Sequence, residues 1–208
     1  MAFDQPACHT CESTLVSRLF CFSCNALQPF PREMDFFEVL GLPVSFEIKS
    51  SELEERYQEL SLELHPDFYG SAPEEEKQLS ETASAILNTA YKTLREPTLR
   101  AGYLLHLQAT KQKLDERSLP EGFLAEMFFL QEELDELLGS GNAVDLSAMR
   151  EDIQNRKKDI EADYAPLFKK HEEQPEDSGV LQQLQTHLNA ERYLRRLLER
   201  IPAALSSL

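Results

Sequence analysis

The stretch ELSLELHPDFYG, residues 59–70, begins as a helix and then cannot go on as one. Leu60, Leu62 and Leu64 stand among glutamates, and the run ends in His65-Pro66-Asp67. A proline excludes the residue before it from the helical region, so the helix stops at His65 on steric grounds alone. Glycine or asparagine would stop a helix equally well. At roughly 5% for each residue type, His-Pro-Asp arises by chance in only about one chain in forty of this length.

The neighbourhood of the tripeptide is helical on both sides. Upstream, Ser51 with Glu54 three residues on forms a predicted capping box for a helix running through Leu64. Before it, Phe36, Phe37, Val39 and Leu40 predict a short apolar helix ended by Gly41-Leu42-Pro43. Downstream, Pro73 and the glutamates after it suit a first helical turn, where the macrodipole favours anions. That helix carries Ile86, Leu87, Ala90, Tyr91 and Leu94, and Pro97 stops it. Leu99 to Leu107 is apolar on most sides and is expected to be buried.

Thr110 to Pro120 reads as a connection, followed by three longer helices: Pro120 to Leu138, Asp145 to Lys170 and Asp177 to Ile201. Gly139-Ser-Gly-Asn142 and Glu172-Glu-Gln-Pro-Glu176 separate them, and connections this short favour an antiparallel bundle. No alternating strand pattern of useful length follows residue 33. The expected fold is all-α, with a small N-terminal module at 1–33, a helical domain at 34–109 and a C-terminal three-helix domain at 110–208.

The chain is 41% hydrophobic and 28% charged, as in a soluble folded protein. A net charge of −16 gives no electrostatic support to nucleic-acid binding. No apolar run approaches the roughly 18 residues of a membrane span. The first residues carry neither the basic start of a secretory signal nor an Arg-rich presequence. The expected location is the cytoplasm, or the mitochondrial matrix if a presequence is absent from this chain. No residue pair suggests a nucleophile and its base, so an enzyme is not expected.

All four cysteines lie within the first 24 residues, as Cys8-x2-Cys11 and Cys21-x2-Cys24. Two such knuckles complete a tetrahedron around zinc and leave no position for water, which makes the expected metal structural. So small a module has too little core to fold alone, and metal binding can supply the missing free energy. The helical body, by contrast, has a core of its own and is expected to fold without the first 33 residues. Two disulfides are the alternative, disfavoured in a reducing compartment. A redox Cys-x2-Cys would sit on the strand-to-helix turn of a larger domain. His9, between ligands, is expected to be a bystander.

From Asp35 to Leu107 the sequence resembles the J domain, the DnaJ-type module that works on DnaK-class chaperones. The resemblance rests on DFFEVLGLP, RYQELSLELHPD and ILNTAYKTLREPTLRAGYLLHL. With the helices that follow, residues 35 to the end resemble the HscB-type co-chaperones of iron–sulfur cluster assembly, some of which carry a comparable N-terminal zinc module. The resemblance implies that His65, Pro66, Asp67 and Arg56 contact a DnaK/HscA-class chaperone and promote its ATP hydrolysis. J domains usually present a basic face before the tripeptide, whereas here Glu52, Glu54, Glu55, Glu59 and Glu63 surround a single Arg56. Phe68 stands where a lysine often follows, and Lys92, Arg95 and Arg100 are the alternative source of basic contacts.

A second feature lies in GFLAEMFFLQEELDELL, residues 122–138. At 100° per residue, Phe123, Met127, Leu130, Leu134 and Leu137 form one core stripe. Leu124, Phe128 and Phe129 fall outside it and share their side with Ala125, Glu132 and Asp135. An exposed apolar patch rimmed by carboxylates is a typical partner surface. The alternative is a helix covered on all sides. The HscB resemblance implies an IscU-type iron–sulfur scaffold as the partner, held by Leu124, Ala125, Phe128 and Glu132, with Phe129 enlarging the patch. It adds Tyr193 from the last helix, which also fits as a flank of the Leu194–Leu197–Leu198 core face. A general J protein delivering unfolded clients is the functional alternative.

Overall fold

Residues 6–31, 34–109 and 113–201 are described by the computed structural model of the protein, and the chain divides into two compact units, residues 1–100 and 101–208. Met1–Gln5 and the start of the Thr110–Pro120 connection lie outside the described residues.

In the first unit, β1 (Phe20–Cys21) and β2 (Ala26–Leu27) form an antiparallel hairpin, with Phe20 opposite Leu27 and Cys21 opposite Ala26. Helix α1 (Phe36–Leu40) begins where the Asp35 carboxylate accepts the Phe37 amide at 2.8 Å. It ends at Gly41, whose φ of +67° lets the Leu42 amide reach back to the Phe37 carbonyl at 2.9 Å. Gly41 is required for a second reason: a Cβ there would lie 2.4 Å from the Val16 carbonyl oxygen. The N-terminal module packs onto this helix. Ser17 Oγ donates to the Val39 carbonyl at 2.7 Å, and Arg18 pairs with Glu38 at 3.2 Å.

Helices α2 (Ser50–Glu63) and α3 (Glu74–Arg95) are antiparallel, as their cross-links show. Near the start of α2, the Tyr91 hydroxyl donates to Glu54, and the Tyr57 ring stacks on Tyr91 with centroids 3.9 Å apart. At the other end, the hydroxyls of Ser80 and Ser84 donate to the Leu64 carbonyl at 2.8 and 2.7 Å. Leu53 and Leu60 of α2 are buried, as are Ala83, Leu87, Ala90 and Leu94 of α3. Full burial of each leucine stabilises by about 2 kcal/mol.

The predicted capping box does not form. Lys49 is the N-cap without a side-chain cap among the described residues, and α2 starts at Ser50. The Glu54 carboxylate, expected to reach back to the cap, is taken by Tyr91 and Gln58. The bond from Tyr91 holds the Glu54 carboxyl below its usual range and pushes the phenol up. Pro73 precedes α3 as its N-cap, and Glu74, Glu75 and Glu76 fill the first turn.

Helix α4 (Pro97–Gln108) follows Glu96, which is extended as a residue before proline must be. Ala101, Leu104 and Leu105 are buried. The Arg100 guanidinium lies 4.8 Å from the Phe46 ring centre and donates to the Leu94 carbonyl at 2.9 Å, so this cation serves packing.

The second unit contains α5 (Phe123–Ser140), α6 (Ala143–Ala162), α7 (Tyr164–Glu173) and α8 (Ser178–Arg200). Its core joins Phe123, Met127, Leu130 and Leu134 to Leu146, Met149, Ile153, Leu194 and Leu197, the three-helix arrangement the sequence suggests. The helix expected from Asp145 to Lys170 is broken at Asp163. Pro166 explains the break. In a continuous helix it would lack the amide for the Ala162 carbonyl and press its ring against that carbonyl. With a break at Asp163 it occupies the first turn of α7, where no such amide is needed. Lys157 and the buried Glu191 lie 3.6 Å apart, tying α6 to α8.

Candidate functional site

The four thiols come together. The sulfurs of Cys8, Cys11, Cys21 and Cys24 all lie within 4.8 Å of one another, with Cys8–Cys24 at 3.6 Å and Cys11–Cys21 at 3.7 Å. Tetrahedral zinc, with Zn–S near 2.3 Å, sets neighbouring sulfurs about 3.8 Å apart, so the donor set fits. The two knuckles repeat one local geometry. The Glu12 amide bonds the Cys8 carbonyl at 3.0 Å and the Asn25 amide bonds the Cys21 carbonyl at 2.8 Å. Glu12 and Asn25, each next after the second cysteine of its pair, adopt φ of +60° and +57°, the left-handed conformation that closes each turn. Burial raises the Cys8 thiol, but amides of Cys11 and Thr10 and the neighbouring thiols outweigh it and lower it to about 6. Burial and the adjacent sulfurs push Cys24 up to about 12. His9 turns away from the sulfurs, its Nδ1 lying 3.1 Å from Gln28 Oε1.

His65 leaves the helix in an extended conformation (φ −65°, ψ 126°), and Pro66–Tyr69 make one 3-10 turn. The Asp67 amide donates to His65 Nδ1 at 3.3 Å, while Asp67 Oδ2 lies 3.7 Å from the same nitrogen. His65 and Asp67 are exposed and Pro66 is half-buried, so the tripeptide presents itself to solvent. The backbone beneath it is held firmly. The Tyr69 hydroxyl donates to the Glu63 carbonyl at 2.9 Å, next to the Leu64 carbonyl that Ser80 and Ser84 share. Phe68 is exposed, with its ring edge-on to His65 at 6.1 Å. Arg56 is half-buried and paired with Glu59 at 3.4 Å.

Helix α5 carries the third feature. Phe123, Met127, Leu130 and Leu134 are buried and Leu137 is half-buried. Leu124, Phe128 and Phe129 are 60%, 57% and 66% exposed, with exposed Ala125 and Glu132 on the same helix. Neighbouring helices therefore do not cover this side. The Phe128 and Phe129 rings meet edge-on at 6.1 Å. Glu126 is paired with Arg156 of α6 and Asp135 with Arg200 of α8, which fixes the polar rim. Tyr193 is half-buried on the bundle core, its ring edge-on to Phe123 at 6.0 Å. Sequence reasoning missed the exposed Val16, Phe22 and Leu62. Only Leu62 gave a signal, since it falls off the face of Leu53, Leu60 and Leu64.

An exposed His-Pro-Asp loop joining two antiparallel helices defines a J-domain protein, and residues 35–103 match the DnaJ domain family. Residues 119–202 match the HSCB C-terminal oligomerisation domain. One chain therefore carries both a DnaJ domain and an HSCB C-terminal domain. The iron-sulfur cluster co-chaperone protein HscB of Mus musculus is 35% identical over 141 residues, 62% of this chain and 57% of that protein. The chain thus matches little more than half the length of that relative. The crystal structure of human co-chaperone protein HscB superposes with a TM-score of 0.75 at 26% identity, covering 94% of this chain and 96% of that one. The chaperone HscB from Vibrio cholerae gives 0.60 at 26% identity, covering 81% and 100%. No helix of the described residues is long and apolar enough to cross a membrane.

Proposed function

We propose that the protein is a co-chaperone of iron–sulfur cluster biogenesis. It binds an IscU-type scaffold protein, delivers it to a DnaK/HscA-class chaperone and stimulates that chaperone's ATPase. The observation that carries this reading is the presence on one chain of an exposed His-Pro-Asp loop and an exposed apolar patch on α5. Each is a surface for a partner.

In this reading residues 34–109 act on the chaperone, with His65, Pro66, Asp67 and Arg56 at the contact. Residues 110–208 hold the scaffold through Leu124, Ala125, Phe128, Phe129 and Glu132, with Tyr193 beside them. The protein performs no chemistry itself. It works by binding one conformational state of the chaperone better than another, the only way a partner shifts such an equilibrium. Residues 1–33 hold zinc through Cys8, Cys11, Cys21 and Cys24, and the metal supplies folding free energy to the module. A thiol cluster of this kind suits a reducing compartment, the cytoplasm or the mitochondrial matrix.

The test measures ATP hydrolysis by a DnaK-class chaperone with this protein, with an IscU-type scaffold, and with both. Stimulation by the protein alone, and more with the scaffold, is expected. Stimulation that any unfolded polypeptide enhances as much as the scaffold points instead to a general J protein.

A further inference from the structure

The thiol cluster opens to solvent at Cys11 and Cys24, one from each Cys-x2-Cys pair, and is closed at Cys8 and Cys21. Each open sulfur has a buried sulfur of the other pair beside it. Cys11 lies 3.7 Å from Cys21, and Cys24 lies 3.6 Å from Cys8. A thiol reacts with an oxidant when it is both ionised and accessible, and a metal-binding set holds its ligands as thiolates. A small oxidant therefore meets an open thiolate with a buried one waiting behind it.

The choice of pairing matters because of the loop between the pairs. Residues 12–20 join Cys11 to Cys21, and this loop is the part of the module that bonds α1. Ser17 Oγ donates to the Val39 carbonyl, Arg18 pairs with Glu38, and the Val16 carbonyl rests on Gly41. The loop is also bonded to itself. The Leu19 amide donates to Ser17 Oγ at 3.2 Å, and Ser17 bridges Phe20. A bond from Cys11 to Cys21 closes the loop at its base, whereas a bond within either Cys-x2-Cys pair leaves it open.

We propose that Cys11 is a site of oxidation by hydrogen peroxide, with Cys21 as the thiol that resolves it into a disulfide. This rests on the zinc-holding reading of the module given above and extends it. The Cys11 thiolate attacks the peroxide: an S–O bond forms, the O–O bond breaks and hydroxide leaves, giving a sulfenic acid. The Cys21 thiolate then attacks that sulfur. An S–S bond forms, the S–O bond breaks and a second hydroxide leaves. The two sulfurs are oxidised and the peroxide oxygens reduced. Cys24 and Cys8 follow with a second peroxide. Two disulfides in place of four thiolates end the tetrahedral donor set, so zinc is lost. The closed loop keeps its bonds to α1 without the metal, and a dithiol reductant restores the thiolates.

The experiment treats the metal-loaded full chain with hydrogen peroxide and follows released zinc with a chromophoric chelator. Release should be complete at about two equivalents of peroxide per chain, and the chain should rebind zinc after dithiothreitol. A dione that traps sulfenic acids, present during oxidation, should label Cys11 ahead of the other cysteines. First labelling elsewhere overturns the assignment. Trypsin on the denatured, unreduced chain reads the pairing, since it cuts after Arg18, between the two pairs, and after Arg32. Peptides 1–18 and 19–32 should emerge joined; two separate peptides, each closed on itself, overturn the proposal. On the native chain, cleavage after Arg18 should be slower when oxidised than when reduced and stripped of zinc, and equal rates show an open loop and overturn it. A parent isolated without zinc overturns the zinc reading, while the trap and the peptide map still decide the oxidation site.

Discussion

Ser17 and Val39 are joined by a buried hydrogen bond of 2.7 Å, with the serine hydroxyl donating to a carbonyl at the end of α1. Helix ends leave carbonyls without partners, and this one is served by the N-terminal module. Ser17→Ala should lower stability by about 1–3 kcal/mol, the cost of an unsatisfied buried acceptor. Thermal unfolding measures it, with the exposed Ser23→Ala as a control that should leave the melting temperature unchanged. Equal behaviour of the two variants would show that the module leans on α1 without supporting it.

His65→Gln should preserve helix content and melting temperature, since an exposed loop side chain contributes little to stability. Chaperone stimulation should disappear while scaffold binding persists. A variant that stimulates like its parent would leave the tripeptide as nothing more than a helix terminator.

Phe128→Ser separates a partner surface from a core. At 57% exposure the ring has little folding energy to lose, so melting temperature should hold. If Phe128 anchors the scaffold, truncation should cost on the order of 2 kcal/mol of binding, roughly thirtyfold in affinity. A large fall in stability with unchanged scaffold affinity would sink the assignment.

The purified protein should contain one zinc per chain, and Cys21→Ser should lose it. Acid should release the metal, because its ligands must be thiolates and protons compete for them. The helical units should keep their circular-dichroism signal on chelation; global unfolding would contradict a core that stands without the metal.

Lys157→Met should be costly, because Glu191 is buried and would lose the cation 3.6 Å away. Removing one partner of a buried polar group costs about 1–3 kcal/mol. Adding Glu191→Leu should recover part of that loss. Simple additivity of the two changes in denaturant unfolding would mean the pair is not coupled.

Local chemistry was legible in the sequence and tertiary competition was not. Prolines 66 and 97, Gly41 and the off-stripe Phe128 each act within one or two turns of chain, so their effects can be read residue by residue. The Glu54 capping box failed because Tyr91, 37 residues away, claimed the carboxylate. The break at Asp163 was readable in principle from Pro166, which a continuous helix cannot hold. The close packing of Val16 on Gly41 could not be read at all. That packing joins positions distant in sequence at a spacing only a bare glycine allows.

The last carbonyls before the His-Pro-Asp turn are occupied by hydroxyls, Tyr69 on Glu63 and the pair Ser80 and Ser84 on Leu64. The consequence is kinetic. Ordering a loose loop would take about 1–2 kcal/mol per residue from any encounter. A loop already stiff adds no such barrier, and docking can run at the usual 10⁵–10⁷ M⁻¹s⁻¹. Residence time is then set by the contacts that must break. Removing both serines should slow arrival at the partner while leaving the side chains that face it untouched.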